Sequence, residues 1–459
     1  MCQSTNVRLI FFFGSLGNLL YGYDTGVVSG ALLFIGHEMS LNHYLEGLIV
    51  SILLFGAIFG ALFSGRLSDR IGRKRVFIII SVIYIVGALG SALAPDVITL
   101  ILARAVLGVA VGGSTALVPV YLSEMAPADK RGKISTLSNM MVMFGILLAY
   151  IVDYLFIPIE GWRWMFGLAA VPAALLLFGT RYIQESPRWL IQQGKTEIAI
   201  QIMKWSNSES ETKDLLKHAK SDLHERKYTI LDLFREKWIR PILFLGAGLG
   251  FFQQFIGINT VIYYAPKIFT ATGLSYASSF MGTMVIGVLN VIMVFVAMGL
   301  IDKIGRRQLL IIGSAGTAVS LAVLTVMLFT AGLSVHTAWI TVCLIGLYII
   351  FFQASWGPVP WVMMPEIFPS AARGAGTGFA ALCVSASNVI VSFIFPSLLS
   401  MIGPAWVFTI FAVLCVCSLL FAVECVPETK GRSLEEIEDT LRNRFSSKSG
   451  KGRIHHHYA

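Results

Sequence analysis

The stretch "SEMAPADKRG" (123–132) returns later in the same chain as "PEIFPSAARG" (365–374). Glu124, Pro127, Arg131 and Gly132 stand in register with Glu366, Pro369, Arg373 and Gly374. The echo is not isolated. "RLSDRIGRKR" (66–75) returns as "GLIDKIGRRQ" (299–308), and "ESPR" (185–188) has a counterpart in "ETKGR" (428–432). The three phrases keep their order, so the chain reads as one unit written twice in parallel.

What separates the phrases decides what the unit is. The 459 residues are 56% hydrophobic and only 13% charged, whereas soluble domains carry roughly 25% charged residues. Apolar runs of about 20 residues, each long enough to cross a hydrocarbon core of roughly 30 Å, recur along nearly the whole chain. The spans are read at 8–29, 46–64, 76–94, 98–120, 134–155, 163–182, 240–262, 278–300, 308–331, 337–360, 375–399 and 405–425. This is an all-α polytopic membrane protein with twelve transmembrane helices in two six-helix halves. Loops after odd-numbered spans carry little charge: His37, Glu38, His43 and Glu46, then Asp96. The other side carries Arg66, Arg70, Arg73, Lys74 and Arg75, then Lys130, Arg131 and Lys133, then Lys303, Arg306 and Arg307. Excess lysine and arginine marks the cytoplasmic side, which predicts a cell-membrane protein with both termini in the cytoplasm. The net charge of +9 follows that topology, so no nucleic-acid partner is expected.

Charge density jumps at 183–239, where helix-forming stretches such as "ETKDLLKHAKSDLHERK" appear. The expected division is an N-terminal half at 1–182, a cytoplasmic helical linker at 183–239, a C-terminal half at 240–426 and a cytoplasmic tail at 427–459. Two parallel six-helix repeats about an axis along the membrane normal form a transporter architecture, with substrate between the halves near the midplane. The first apolar run lacks a small-residue cleavage site and others follow it, so it is read as a span and not a leader. Cys343, Cys383, Cys415 and Cys417 fall within spans and Cys425 at the end of one, where they act as small apolar residues. No CxxC or Cys/His spacing suggests a metal, and no cofactor is expected.

Enzyme readings fail on particular residues. "HEMSL" opens like a zinc-protease helix, but Leu41 stands where the second histidine is needed. "GKT" (194–196) resembles the end of a nucleotide loop, yet Trp189 occupies the place of its first glycine. No GxSxG occurs.

The repeated phrases are themselves candidate machinery. Acidic residues at helix ends facing arginines of another helix form ion pairs that tie helices together on one side, and opening that side would break them. The predicted cytoplasmic gate is Asp69, Arg73, Glu124, Arg131, Glu185 and Arg188, with Asp302, Arg306, Glu366, Arg373, Glu428 and Arg432 in the second half. Simple solvated charge is the plainer alternative, since a single surface pair is worth little.

With these phrases in hand, the sequence resembles the sugar porters of the major facilitator superfamily over residues 7–440. The resemblance rests on "GRLSDRIGRK", "VPVYLSEMAPADKRG", "ESPRWL", "QQFIGINTVIYYAP", "DKIGRR", "SWGPVPWVMMPEIFP" and "PETKGRSLEEIE". It is most similar to bacterial proton-coupled monosaccharide symporters. The resemblance implies a monosaccharide, a proton and the lipid bilayer as partners, and a single chain as the expected working unit.

The residues support a sugar site on their own chemistry. A neutral polyhydroxylated ligand in a low-dielectric cavity calls for amides, which donate and accept, and for an aromatic face. "FFQQFIGINTVIYY" supplies Gln253, Gln254, Asn259 and Tyr263 in one span. Read as a continuous helix, Gln254, Ile258 and Val261 share a face, as do Asn259 and Tyr263. Helix–helix adhesion is the alternative use of such amides. The resemblance adds Tyr21, Asn290 and Trp361 as sugar contacts. Gly357, Pro358 and Pro360 interrupt the helix before Trp361, which fits either an outer-side gate or a plain kink. The chain departs from the family at Asn139, where glutamine is usual, and at Val384–Ser385, where an amide–tryptophan pair is usual; Asn388 follows one turn on.

Asp24 is the one charge between Leu9 and Phe34. A charge at a helix centre costs about 2.5–3.5 kcal/mol on insertion scales, and such residues face a cavity with a partner. Arg104, the lone basic residue inside the fourth span, is the predicted partner. The expected function is a proton-coupled monosaccharide symporter working by alternating access, a hexose such as glucose being the expected sugar. Two alternatives stand beside it: a passive facilitator in which Asp24–Arg104 is structural, and a non-transporting sugar sensor.

Overall fold

The computed structural model describes residues 2–126, 131–206, 228, 230–332, 335–369, 372–432 and 434–449. The helix-forming stretch expected at 211–227 and the end of the tail lie outside these residues. The first half contains α1 (Cys2–Met39), α2 (His43–Ile71), α3 (Arg73–Ala92), α4 (Val97–Met125), α5 (Arg131–Phe156), α6 (Trp162–Gly167) and α7 (Ala170–Gly179). Three short helices follow: α8 (Pro187–Gln192), α9 (Thr196–Ser206) and α10 (Ile230–Arg235). The second half contains α11 (Arg240–Phe255), α12 (Ile258–Ala271), α13 (Tyr276–Ile304), α14 (Arg306–Thr330), α15 (Val335–Ala354), α16 (Val359–Ile367) and α17 (Arg373–Glu424). A polar helix α18 (Leu434–Ser449) ends the described chain.

Among the described residues, eleven helical stretches are long and apolar enough to span a membrane. Twelve crossings result because α17, at 52 residues, is far longer than a bilayer is thick and breaks at Gly403, whose φ is +78°. Phe63, Leu102, Phe244, Val319 and Leu420 are each more than half exposed. In water that surface would aggregate; here it faces lipid, while the polar residues turn inward.

Lipid gives helices no hydrophobic reason to associate, so close approach of small residues carries the packing. Gly56 and Gly60 on α2 meet the Ala105 and Val109 carbonyls of α4, and Gly108 and Gly112 on α4 meet the Leu53 and Ala57 carbonyls of α2. A Cβ at Gly112 has no room against Ala57, whereas one at Gly65 meets nothing. Gly112→Val is expected to destabilise the folded protein by about 1–3 kcal/mol. Thermal unfolding in detergent checks this, with Gly65→Ala expected to unfold like the parent.

The repeated phrases build the same device twice. Gly72 (φ +97°) and Gly305 (φ +106°) turn the chain between α2 and α3 and between α13 and α14. That backbone region suits glycine, and a glycine at the start of a helix has no side chain with which to cap the exposed N–H groups. A distant carboxylate does so instead. The Arg73 N–H donates to Glu185 at 2.6 Å, and the Arg306 and Arg307 N–H groups donate to Glu428 at 2.9 and 3.1 Å. Arg73 then grips Glu124 with two hydrogen bonds of 3.0 and 3.1 Å and pairs with Asp69 at 3.0 Å. Arg306 reaches Glu366 at 3.3 Å and Asp302 at 3.4 Å, and the Thr429 hydroxyl donates to Glu366 at 2.6 Å.

These pairs each close within one half. Arg188 and Arg432 are exposed, Arg373 is half-buried, and the Arg131 side chain lies outside the described residues. The Arg73 and Arg306 clusters tie helices together within each half.

Candidate functional site

Between the halves lies a cavity of about 370 Å³, within the size range of small-molecule sites. Its first-half wall comes from Asn18, Tyr21 and Thr25 on α1, from the later parts of α2 and α4 including Ala57, Ala61 and Thr115, and from Asn139 to Ile146 on α5. Its second-half wall is richer in amides: Gln253, Gln254, Asn259, Gln353 and Asn388, with Gly357, Trp361 and Ser385. On α2, α4, α5 and α13 the lining positions lie between mid-span and the basic loops, so the cavity runs from the middle of the bundle toward the basic face.

The opposite face is closed. Phe34 of α1 stacks on Phe280 of α13 with ring centroids 6.2 Å apart, and Tyr44 of α2 meets Phe393 of α17 edge-on at 5.1 Å. Gly47 abuts the Phe393 carbonyl, and the Tyr150 hydroxyl donates to the Ile262 carbonyl at 3.0 Å. Glu46 of α2 pairs with Lys267 of α12, with His43 3.6 Å from the same carboxylate. Of the ion pairs described above and here, only Glu46–Lys267 joins the two halves.

The amide wall is shaped by a break that periodicity does not reveal. The helix read as continuous over 240–262 stops at Phe255 and restarts at Ile258, because Gly257 takes φ +99°. Gln254 and Ile258 therefore do not share one helical face. The break instead lets the Asn259 Nδ2 turn back and donate to Gln254 Oε1 at 2.5 Å. Gln253 Nε2 donates to the carbonyls of Trp356 and Gly357 at 3.3 and 3.1 Å. Its Oε1 is buried and has no protein partner.

Of the ten expected sugar contacts, Tyr21, Asn139, Gln253, Gln254, Asn259, Gly357, Trp361 and Asn388 line the cavity. Tyr263 and Asn290 stand one layer behind it. Asn388 Nδ2 lies 3.4 Å from the Tyr263 hydroxyl, and Gln353 Nε2 donates to Asn290 Oδ1 at 2.6 Å. Each thus orients an amide that does line the cavity. The interruption at Gly357, Pro358 and Pro360 precedes α16, which leads toward the basic face, and Trp361 lines the cavity there. Gln353, Asn18 and Thr25 were not singled out from sequence; an uncharged polar residue within an apolar span was the available signal.

Behind the first-half wall sits the expected charge pair. Arg104 Nη1 lies 3.5 Å from Asp24 Oδ1, and both side chains are 1% exposed. Arg104 Nε donates to the Ile49 carbonyl at 2.9 Å, and the guanidinium lies 5.2 Å from the centroid of the Phe166 ring. Neither Asp24 oxygen makes a hydrogen bond. The carboxylate is held by the charge of Arg104 alone. A second buried carboxylate, Asp153 on α5, accepts from the Gly30 N–H at 3.1 Å; the sequence reading passed it over.

The family described as "Sugar (and other) transporter" matches residues 10–441. The chain is 56% identical to "Probable metabolite transport protein CsbC" of Bacillus subtilis (98% of this chain, 97% of the relative). It is 46% identical to "Glucose transporter GlcP" of Staphylococcus epidermidis (97% and 100%). Among solved structures, the inward open xylose transporter XylE from E. coli superposes with a TM-score of 0.83 at 30% identity, over 95% of this chain and 99% of that one. XylE bound to 6-bromo-6-deoxy-D-glucose, described as an MFS proton:xylose symporter, gives 0.79 at 31% identity, over 96% and 100%. Matched along nearly its whole length, this membrane-spanning chain belongs to the sugar porter family of the major facilitator superfamily.

Proposed function

We propose that this protein is a proton-coupled monosaccharide symporter working by alternating access, with its basic face in the cytoplasm and one chain as the working unit. The observation that carries the reading is the Asp24–Arg104 pair, buried in the wall directly behind an amide-lined cavity and without hydrogen bonds to either carboxylate oxygen.

The amides fit the ring hydroxyls of a sugar, since each offers a donor and an acceptor. Tyr21 and Trp361 offer aromatic surface from opposite halves. In the inward-facing arrangement Arg104 neutralises Asp24. A shift of α1 against α4 that removes this cation leaves a buried charge alone, and that is strongly unfavourable. A proton is the replacement that fits. Which side is open is thereby linked to whether Asp24 carries a proton, and the linkage works in both directions. The same movement must part Glu46 from Lys267 and the rings sealing the outer face. The gate residues brace each half so that it moves as a unit.

The expected sugar is a hexose such as glucose; a pentose of the same ring size meets the same amides. Passive facilitation is the second reading, favoured by the completeness with which the Asp24–Arg104 pair is buried. Uptake of radiolabelled D-glucose or D-xylose into proteoliposomes separates the two. At about 100 mV, one coupled charge is worth about 2.3 kcal/mol, which supports roughly fiftyfold accumulation. A protonophore is expected to collapse it. Equal inside and outside concentrations, with or without the protonophore, would identify a facilitator.

A further inference from the structure

His43, one turn before Glu46 on α2, has no part in the mechanism above. Its Nδ1 lies 3.6 Å from Glu46 Oε2, the same oxygen that holds Lys267 Nζ of α12. The three side chains differ in their contact with water: His43 is 54% exposed, Lys267 24% and Glu46 11%. Solvent protons therefore reach His43 directly, and a histidine changes charge between about pH 5 and pH 8. Other groups of α12 and α17 add no charge here. Tyr264 of α12 faces the Glu46 carboxylate and donates its hydroxyl to the Ser392 carbonyl of α17, and α17 sets the Phe393 ring against Tyr44. Two other ion pairs at this face, His37 with Glu160 and Glu38 with Arg163, close within the first half.

We propose that His43 makes this seal sensitive to pH: its protonation weakens the hold of Glu46 on Lys267 and favours opening of the face opposite the basic loops. The sign follows from which contacts cross between the halves. His43 and Glu46 sit three residues apart on one helix, so a protonated His43 attracts Glu46 whether the face is closed or open. Lys267 belongs to the other half and is close to His43 only when the face is closed. Charge on His43 therefore adds a repulsion to the closed form alone. It also leaves Glu46 with a cation after Lys267 departs, so parting the halves strands no half-buried carboxylate. The inference builds on the reading of this face as the outer one in a proton symporter. Acid outside then opens the side from which the transported proton must be taken, while Asp24 remains the group that carries it.

The test uses the full-length protein in detergent, where both faces meet one pH and no transport is required, with spin labels on the α1–α2 and α12–α13 turns. The ratio of open to closed form at this face is read from the label distances between about pH 8 and about pH 5.5. Asp24 titrates in every variant that keeps it and cancels when those variants are compared. On acidification the parent is expected to gain about threefold more open form than His43→Gln. His43→Lys, a cation at every pH, is expected to hold the more open distribution throughout. In a Lys267→Met background, where the repelled cation is gone, His43→Gln is expected to leave the pH response unchanged. Equal responses in the parent and His43→Gln, a larger acid opening in His43→Gln, or an undiminished effect of His43→Gln without Lys267 would each overturn the proposal. The labels report the seal whether or not sugar and proton are coupled. Sugar entry into proteoliposomes without proton entry would instead sink the symport reading.

Discussion

Asp24→Asn is expected to abolish sugar accumulation while leaving sugar exchange across the membrane largely intact. The substitution keeps the shape of the side chain and removes the group that binds a proton. It also leaves Arg104 buried, still bonded to the Ile49 carbonyl and near the Phe166 ring, so one charge stands uncompensated. Removing one member of a buried pair costs about 3–5 kcal/mol, and reduced stability is expected alongside the transport defect. The two effects separate by assay. Exchange of labelled for unlabelled sugar reports the cavity and its rocking, whereas the accumulation ratio reports coupling. The ratio should fall from roughly fiftyfold at about 100 mV to one. A variant that still concentrates sugar would remove Asp24 from the coupling mechanism.

The second large effect is expected at the face opposite the basic loops, where Glu46 and Lys267 join the two halves. Their side chains are 11% and 24% exposed, so the pair is worth more than a surface ion pair and less than a fully buried one. Glu46→Gln or Lys267→Met should shift the conformational equilibrium toward the outward-open form by about tenfold, equivalent to about 1.4 kcal/mol. The exchanged pair, Glu46→Lys with Lys267→Glu, should restore the parent distribution. Distances between spin labels placed on the α1–α2 and α12–α13 turns report that distribution directly. If the single and exchanged variants all keep the parent distances, the pair has no part in closing the outer face.

The division into two halves was legible because a repeat needs no knowledge of contacts. Gly72 and Gly305 occupy the same place in each phrase, adopt the same left-handed backbone, and receive the same kind of remote carboxylate. The Asp24–Arg104 pair was legible for a related reason. Two opposite charges inside apolar spans are costly unless they meet, and few partners were on offer.

Details of the cavity were less legible. The apolar pattern continues across "QQFIGINT", so periodicity joins helices that Gly257 separates. Polarity inside a span marks Asn290 and Tyr263 as inward-facing, but it does not distinguish an amide on the cavity wall from one a layer behind. Glu46 read as loop charge because its partner is on another helix, 221 residues away. The basic-side ion pairs were open in the same way. Charge complementarity predicts that Arg73 meets a carboxylate but not which half supplies it. Asp153 escaped notice because it sits near the end of an apolar run, where an acid looks like the start of a loop.

The central claim, that sugar and proton move together, is tested most directly by the pH inside proteoliposomes when sugar is added outside. No pH or voltage gradient is imposed, and a pH-sensitive dye is enclosed. Coupled symport predicts acidification of the interior as D-glucose or D-xylose enters, abolished in Asp24→Asn. Entry of labelled sugar with no change in internal pH would contradict it.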